Sequence, residues 1–549
     1  MQMNNNNYRF LAAALAGLMS CAMTDLQAMQ MSMTLGLVKP VERPESVQDE
    51  NRFDVLEYRI NGNTVLSALA IEEAVYPWMG ESKTISDVEK ARERLEKNYH
   101  DSGYLTVLVD IPEQDVKQGI VRLNVTEGKI DHLRVRGSRY YSLGYIKAQA
   151  QSLAEGAVPY FPQVQKEVAS LNRTEDRRVT PVMKAGKTFG TVDVDLKVED
   201  NLPLHGSVEM NDQYSKNTER WRLSGMLRYD NLWQRDHSLT LQFQTAPQNT
   251  SQVKMLSASY LYRFDNSDRM LAMYAVKSDS NVATFGGINV LGNGTIMGAR
   301  MVLPLTSLKQ FSHSISVGAD YKDFQQNILF GADTAKTPIR YLPLSAQYSA
   351  TSQNETGYTQ YALGLNFGLR GLVGKESEFN AKRAGSGSNF MVLKPEVQRT
   401  QTLPRDFQLW GKLDGQIANG MLISNEQYVA GGANSVRGYL EAEAAGDNAL
   451  HASFELRSPA LRRGEWLQEL RLVGFYDIAR LRVINPTATD REQHTIAGTG
   501  LGMRLKAQKN WNASLSVARA LHDASMTLGD NSGTLSGKVA GHMRLWYEF

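Results

Sequence analysis

From Pro203 to Phe549 polar and apolar residues alternate in segments of about ten residues, and no other feature restricts the fold so much. Ser238 to Thr245 sets Leu239, Leu241 and Phe243 on one face against Thr240, Gln242 and Gln244 on the other. Gln360 to Arg370 places Tyr361, Leu363, Leu365, Phe367 and Leu369 against Gln360, Gly364, Asn366, Gly368 and Arg370. At the end of the chain Met543, Leu545, Tyr547 and Phe549 oppose His542, Arg544, Trp546 and Glu548. A soluble sandwich also alternates, but its outward face is charged and its strands are shorter. Mean hydropathy is −0.37. Nothing beyond the N-terminus approaches the roughly 18 apolar residues of a spanning helix. Only helices and closed barrels satisfy their backbone groups in lipid, so a chain with this pattern crosses a membrane as a barrel. Roughly eleven strands fit between His205 and Ala418 and about five between Leu450 and Phe549, an even total near sixteen. The fold class expected is a transmembrane β-barrel of about 16 antiparallel strands over 204–549, preceded by α/β domains.

The first residues read as an export signal: Arg9, then an apolar stretch from Phe10 to Met23, then small residues. Cleavage fits after Ala22 or after Ala28, and residues 1–28 are assigned to the signal peptide. Leu18-Met19-Ser20-Cys21 loosely resembles a lipoprotein box, with Met19 the poor fit. Cys21 is the only cysteine, so either ordinary cleavage leaves a cysteine-free chain. That excludes a disulfide framework, a thiolate metal site and a cysteine nucleophile. A net charge of +2 gives no electrostatic reason to expect nucleic acid as a partner.

Residues 52–203 mix helical and strand periods. Phe53 to Ile60 reads as a strand, and Ser86 with Glu89 as a capping box before a helix whose Val88, Ala91, Leu95 and Tyr99 share a face. Gly103 closes that helix, and strands follow at Thr106 to Ile111 and Ile120 to Glu127. A similar unit starts with His132 to Gly137, passes a helix near Gln163 to Leu171, and ends in the strand Thr191 to Val198. Two strand–helix–helix–strand–strand units are the economical reading, one over 52–130 and one over 131–203.

Between the two groups of barrel strands lies a long connection, Asn419 to Asp447, of the kind that is usually functional. It carries Gly431-Gly432 and then Val436-Arg437-Gly438-Tyr439, with Gly446-Asp447 beyond. This set resembles the loop motif of the two-partner secretion outer-membrane transporters, the TpsB type or haemolysin secretion/activation family of the Omp85 superfamily. Leu171-Asn172-Arg173 and Gly186-Lys187-Thr188-Phe189-Gly190-Thr191 resemble the second periplasmic POTRA domain of that family, and Asn211 to Asp236 its first barrel hairpin. Asp477, in Gly474-Phe475-Tyr476-Asp477-Ile478-Ala479, occupies the acidic position of its Phe-x-Asp-x-Gly motif, with Ala479 where Gly is usual.

Alternation puts Asp477 on the face of Arg471, Val473 and Phe475, opposite Leu470, Leu472 and Tyr476. If the latter meet lipid, the carboxylate faces the lumen. The resemblance implies that the loop folds into the lumen and that Arg437 pairs with Asp477, for which a planar guanidinium is suited. It implies, too, that two POTRA domains capture an unfolded exoprotein, adhesin-like, haemolysin-like or haem-scavenging, which then threads through the barrel. Further partners expected are outer-membrane lipid and, during biogenesis, the barrel-assembly machinery, which would read Tyr547 and Phe549 as a C-terminal signal. The alternatives are an assembly factor of the same superfamily and a passive porin. A self-contained autotransporter is disfavoured because no passenger precedes the barrel. No cofactor, metal or enzymatic role is expected: the nine histidines show no ligand spacing, and no nucleophile–base set emerges. Gly498-Thr499-Gly500-Leu501-Gly502 sits in a strand pattern and reads as barrel glycine, not as a phosphate loop. Residues 29–51 include Pro40 and Pro44 and show no amphipathic helix, so a short linker without a plug helix is expected.

Overall fold

The computed structural model describes residues 52–549 except 117, 217, 266, 280–282, 286–287, 291–292, 331–332, 489, 509 and 527–532. The signal peptide and the linker expected to lack a plug helix lie outside the described residues.

The two N-terminal units repeat one topology. In the first, the strand Glu57–Asn61 runs parallel to Ile120–Glu127, which pairs antiparallel with Val107–Asp110. In the second, Lys129–Arg136 runs parallel to Thr191–Asp200, which pairs antiparallel with Arg177–Ala185. The helix Ile85–Asp101 buries Val88, Ala91, Leu95 and Tyr99 against the first sheet, as its helical spacing requires. Its start differs from the expected one. Thr84 is the N-cap and Asp87 closes the capping box, two residues ahead of Ser86 and Glu89. The preceding strand Gly80–Lys83 ends one residue before Thr84, so Ser86 already lies inside the first turn. The hydrogen bonds from Thr84 hold the Asp87 carboxyl below its usual range.

The repeat extends to individual polar contacts. Each first strand ends in a left-handed glycine, Gly62 and Gly137, where a Cβ would lie 2.2 Å from the Val125 carbonyl oxygen and 2.5 Å from that of Val198. Two residues beyond those valines, Glu127 accepts from the Thr64 and Val65 amides, and Asp200 from the Arg139 and Tyr140 amides. A carboxylate ending the last strand thus pins the loop that leaves the first.

From Leu204 the chain forms a closed 16-strand antiparallel barrel. The eighth strand is broken at Leu342-Pro343 into Asp333–Tyr341 and Leu344–Asn354, both paired with the long seventh strand Phe311–Phe330. Closure joins Leu204–Asn211 to Val539–Glu548, and Gly206 and Phe549 exchange two backbone bonds of 2.9 Å. Outward positions are apolar, with Leu472 62% exposed where Asp477 on the opposite face is 0%. Trp511, Tyr547 and Phe549 stack at one rim, as in the aromatic girdle of a barrel at the membrane interface.

That rim carries the docked second unit. Arg177 is fully buried and makes two parallel bonds, of 3.0 and 2.8 Å, to Asp236 in the turn between the second and third barrel strands. The guanidinium stacks 4.5 Å from the Tyr141 ring and donates to the Leu171 carbonyl, and the Tyr145 hydroxyl donates to Asp236. Asn231 and Gln234 reach the Tyr140 carbonyl. Losing one partner of a buried pair costs about 3–5 kcal/mol, whereas replacing both by apolar groups is often neutral. Asp236→Asn is therefore expected to speed hydrogen exchange at 140–145 and 231–236 more than the double change Arg177→Met with Asp236→Leu. Equal exchange in the single variant and the wild type would show that the pair does not hold the junction.

Candidate functional site

The connection 419–447 turns into the barrel. Tyr428–Ala430 pairs with Ala444–Gly446 as a short hairpin, and residues 431–443 form its tip. The tip carries Arg437 onto the inner wall. Its Nε and Nη2 each lie 2.7 Å from an oxygen of Asp477, and its backbone N–H donates to the same carboxylate at 3.1 Å. Its Nη1 donates to Glu455 at 2.8 Å, and the guanidinium centre sits 3.5 Å from the Phe475 ring centroid. Asp477 also accepts from the Ser453 hydroxyl at 2.6 Å and is fully buried. A buried carboxylate is tolerated when paired and hydrogen-bonded this completely.

Strand register assembles the site. Ser453 on the twelfth strand (Asn448–Arg457) is opposite Asp477 on the thirteenth (Leu467–Arg482), and Glu455 is opposite Phe475. On the fourteenth strand (Gln493–Ala507) Gly498 faces Asp477 and Gly500 faces Phe475. A Cβ on Gly498 would lie 1.9 Å from the Arg437 carbonyl oxygen, and one on Gly500 2.7 Å from the Phe475 ring. The glycine run is therefore the floor on which the loop tip rests. Glu455 adds a charge hub, accepting from Arg437, Arg457 and Arg504.

The other motif residues fasten the tip on further sides. Val436 is buried among Ala430, Ala479, Leu481 and Ile496. Ala479 fits in that packing, and no register shift marks the strand there. Gly438, with φ of +101°, donates its N–H to His542 Nε2 at 3.0 Å. The buried Tyr439 hydroxyl lies 2.9 Å from the Ala497 carbonyl and 2.7 Å from that of His522. On the adjacent eleventh strand (Gln408–Ala418) Asp414 accepts from the Tyr428 hydroxyl and also holds His451. The tip is thus fastened inside the lumen along the arc of wall from the eleventh to the sixteenth strand. Polar cavities of about 500 and 650 Å³ flank it.

Sequence reasoning singled out Arg437 and Asp477, but not Glu455, Ser453, His542, Asp414 or His451. Their only signal is an inward place in the alternation, which many residues share. Phe475 stacks under Arg437, while Tyr547 and Phe549 lie on the outer face, away from the loop. Folding also converges two sets of metal-type ligands that spacing concealed, Asp131, His132 and Asp193, and Asp176, His205 and Asp230. Arg134 lies 3.3 Å from Asp193 and Arg228 2.8 Å from Asp230, so one carboxylate of each set already has an arginine beside it.

A closed barrel with docked α/β units and a hairpin clamped inside its lumen is the architecture of an outer-membrane barrel protein with periplasmic POTRA domains. Residues 190–505 match the family described as "Haemolysin secretion/activation protein ShlB/FhaC/HecB", and residues 53–128 match its ShlB-type POTRA domain. The chain belongs to that family, the two-partner secretion transporters of the outer membrane. One relative is the heme/hemopexin transporter protein HuxB of Haemophilus influenzae, 20% identical over 456 residues, 81% of this chain and 79% of that protein. With HuxB of strain Rd of the same species the match spans 66% of this chain and 64% of the relative, slightly under two thirds of its length. The outer membrane transporter CdiB of Dickeya dadantii is 22% identical over 429 residues, 74% of this chain and 72% of that protein. Among solved structures, CdiB from Escherichia coli has a similar fold over 100% of both chains, with a TM-score of 0.65 at 15% identity. A barrel-assembly protein, BamA from Haemophilus ducreyi, has a TM-score of 0.54 at 14% identity, covering 90% of this chain and 100% of that one.

The clamp generates a specific expectation. Exchanging charges by Arg437→Asp with Asp477→Arg sets a carboxylate against Glu455, so full recovery in the double variant is not expected. Gly498→Ala is the cleaner probe, because it leaves every charge in place and only fills the floor. It should raise proteolysis and hydrogen exchange across 431–443 while the barrel remains closed. Unchanged protection of the tip would mean that the close approach of Gly498 to Arg437 is not needed to seat the loop.

Proposed function

We propose that the protein captures a partner exoprotein in the periplasm through its POTRA domains and passes it, unfolded, through the barrel lumen to the cell surface. The observation that carries this reading is the loop clamped by Arg437 inside a polar lumen, in a barrel whose entry rim is docked to the second POTRA unit. A reversible obstruction suits a pore that must pass a chain and stay closed between clients. The edge strand Glu57–Asn61 of the first POTRA sheet suits capture of an extended segment through main-chain bonds. The family's description, haemolysin secretion/activation, and the heme/hemopexin transporter among the relatives support a haemolysin-like or haem-scavenging exoprotein as client, with an adhesin the further candidate. The half-buried Tyr547 and the exposed Phe549, at the last strand's rim, are the residues proposed to be read by the barrel-assembly machinery when this chain is itself inserted.

The second reading, an assembly factor for other barrels, draws on the fold likeness to the barrel-assembly protein. The two are separated by co-expressing the chain with the exoprotein of a neighbouring reading frame and assaying both the medium and the outer-membrane protein profile. Removing residues 53–128, or changing Arg437→Ala, is expected to cut exoprotein in the medium at least tenfold with other outer-membrane proteins unchanged (about tenfold per 1.4 kcal/mol of lost coupling). Unimpaired export together with loss of other barrels from the membrane would establish the assembly role instead.

A further inference from the structure

The outer end of the lumen holds a second inward-turned element. The loop 368–390, between the ninth and tenth strands, carries the helix Glu376–Lys382, whose Phe379 is 1% exposed. Phe379 packs edge-on to Tyr341 of the eighth strand, with ring centroids 5.5 Å apart, and lies 6.4 Å from Phe390. Beneath them, Ile296, Phe324 and Ile339 are buried in the same cluster. These three face inward, since their strand neighbour Met297 is exposed on the outer face and register aligns Phe324 with Ile339. A barrel interior is normally polar. An apolar shelf on its inner wall would be costly if left wet, and here the helix covers it.

One ion pair fastens this element. Arg383, at the helix C-terminal end, makes bonds of 2.6 and 3.0 Å to the two oxygens of Asp447 and donates to the Leu422 and Ile484 carbonyls. Asp447 is fully buried and accepts from the Leu422 and Ile484 amides. Three outer loops therefore meet on the pair: 368–390, 419–447 and the connection after Leu467–Arg482. The same Asp447 ends the hairpin loop whose tip is clamped by Arg437.

We propose that residues 371–388 are an exit-side plug, seated on the apolar shelf and latched by Arg383 on Asp447, which a translocating chain displaces. Displacement by a chain rests on the transport reading above, but occlusion of the lumen does not. A segment folded into the lumen narrows the path open to ions, with its polar face, Glu376, Ser377 and Asn380, toward the water. The plug is thus readable as conductance without any exoprotein.

The test is KCl conductance of the full chain in planar bilayers. Phe379→Asp, and separately replacement of 372–386 by a short Gly-Ser linker, should each raise the resting conductance severalfold, with barrel closure verified by heat-modifiable migration. Conductance equal to wild type in both closed-barrel variants would overturn the plug. A second arm does not depend on those variants folding. In a background with Cys21→Ser, Arg383→Cys with Asp447→Cys are bridged by a short bis-maleimide in cells that export the exoprotein. Export should stop on bridging, and unchanged export would overturn the latch. If wild type exports nothing while the plug variants still raise conductance, the transport reading fails and the plug stands.

Discussion

Much of the barrel's inner architecture depends on a single guanidinium held out of water. Arg437 satisfies Asp477 with two side-chain donors and a backbone donor, and extends a third side-chain donor to Glu455. Removing it would strand a fully buried carboxylate, which is why the surrounding chain is shaped to accept it. Glycines on the fourteenth strand admit the tip's backbone, Phe475 offers its ring face, and Ser453 caps the remaining lone pair. The cation–π contact is worth up to about 2 kcal/mol when desolvated. Each of these is a small adjustment to a strand that would otherwise only separate lipid from water.

The loop is held at several points along one arc of the barrel, by residues of the eleventh, twelfth, thirteenth, fourteenth and sixteenth strands. Its position is therefore linked to closure of the barrel near the seam. Arg177 and Asp236 play the corresponding part at the entry rim, where they tie the second POTRA unit to a barrel turn. Both anchors are arginine–carboxylate forks, which fix orientation as well as distance. Entry and lumen are thus organised by the same chemistry, while the apolar shelf near the exit uses burial of hydrocarbon.

Reading the sequence worked best where a pattern repeats. Helical spacing picked out Val88, Ala91, Leu95 and Tyr99, and strand alternation placed Leu472 and Tyr476 opposite Asp477, because both patterns report one local surface. It was less accurate at boundaries. The capping box moved from Ser86 and Glu89 to Thr84 and Asp87 because the end of the preceding strand, not the helix pattern, decides where the helix starts. Motif residues stood out in the loop, yet Glu455 and His542 did not, and Gly498 was legible only as a barrel glycine. Each contacts the loop only through barrel register, and register depends on turns and closure far away in the chain.

The sequence by itself determined that this chain crosses a membrane as a barrel, since alternation without a long apolar stretch permits no other way to satisfy the backbone. It also determined the two α/β units and made Arg437 and Asp477 conspicuous. Only the tertiary structure decided that Arg437 shares itself between Asp477 and Glu455, that Gly498 leaves room for its carbonyl, and that Phe379 and Arg383 turn inward at the exit. The physical reason is that alternation states which residues face the lumen, but not which of them meet. Meeting requires the closure of sixteen strands in one register, and that is a property of the whole sheet, not of any segment.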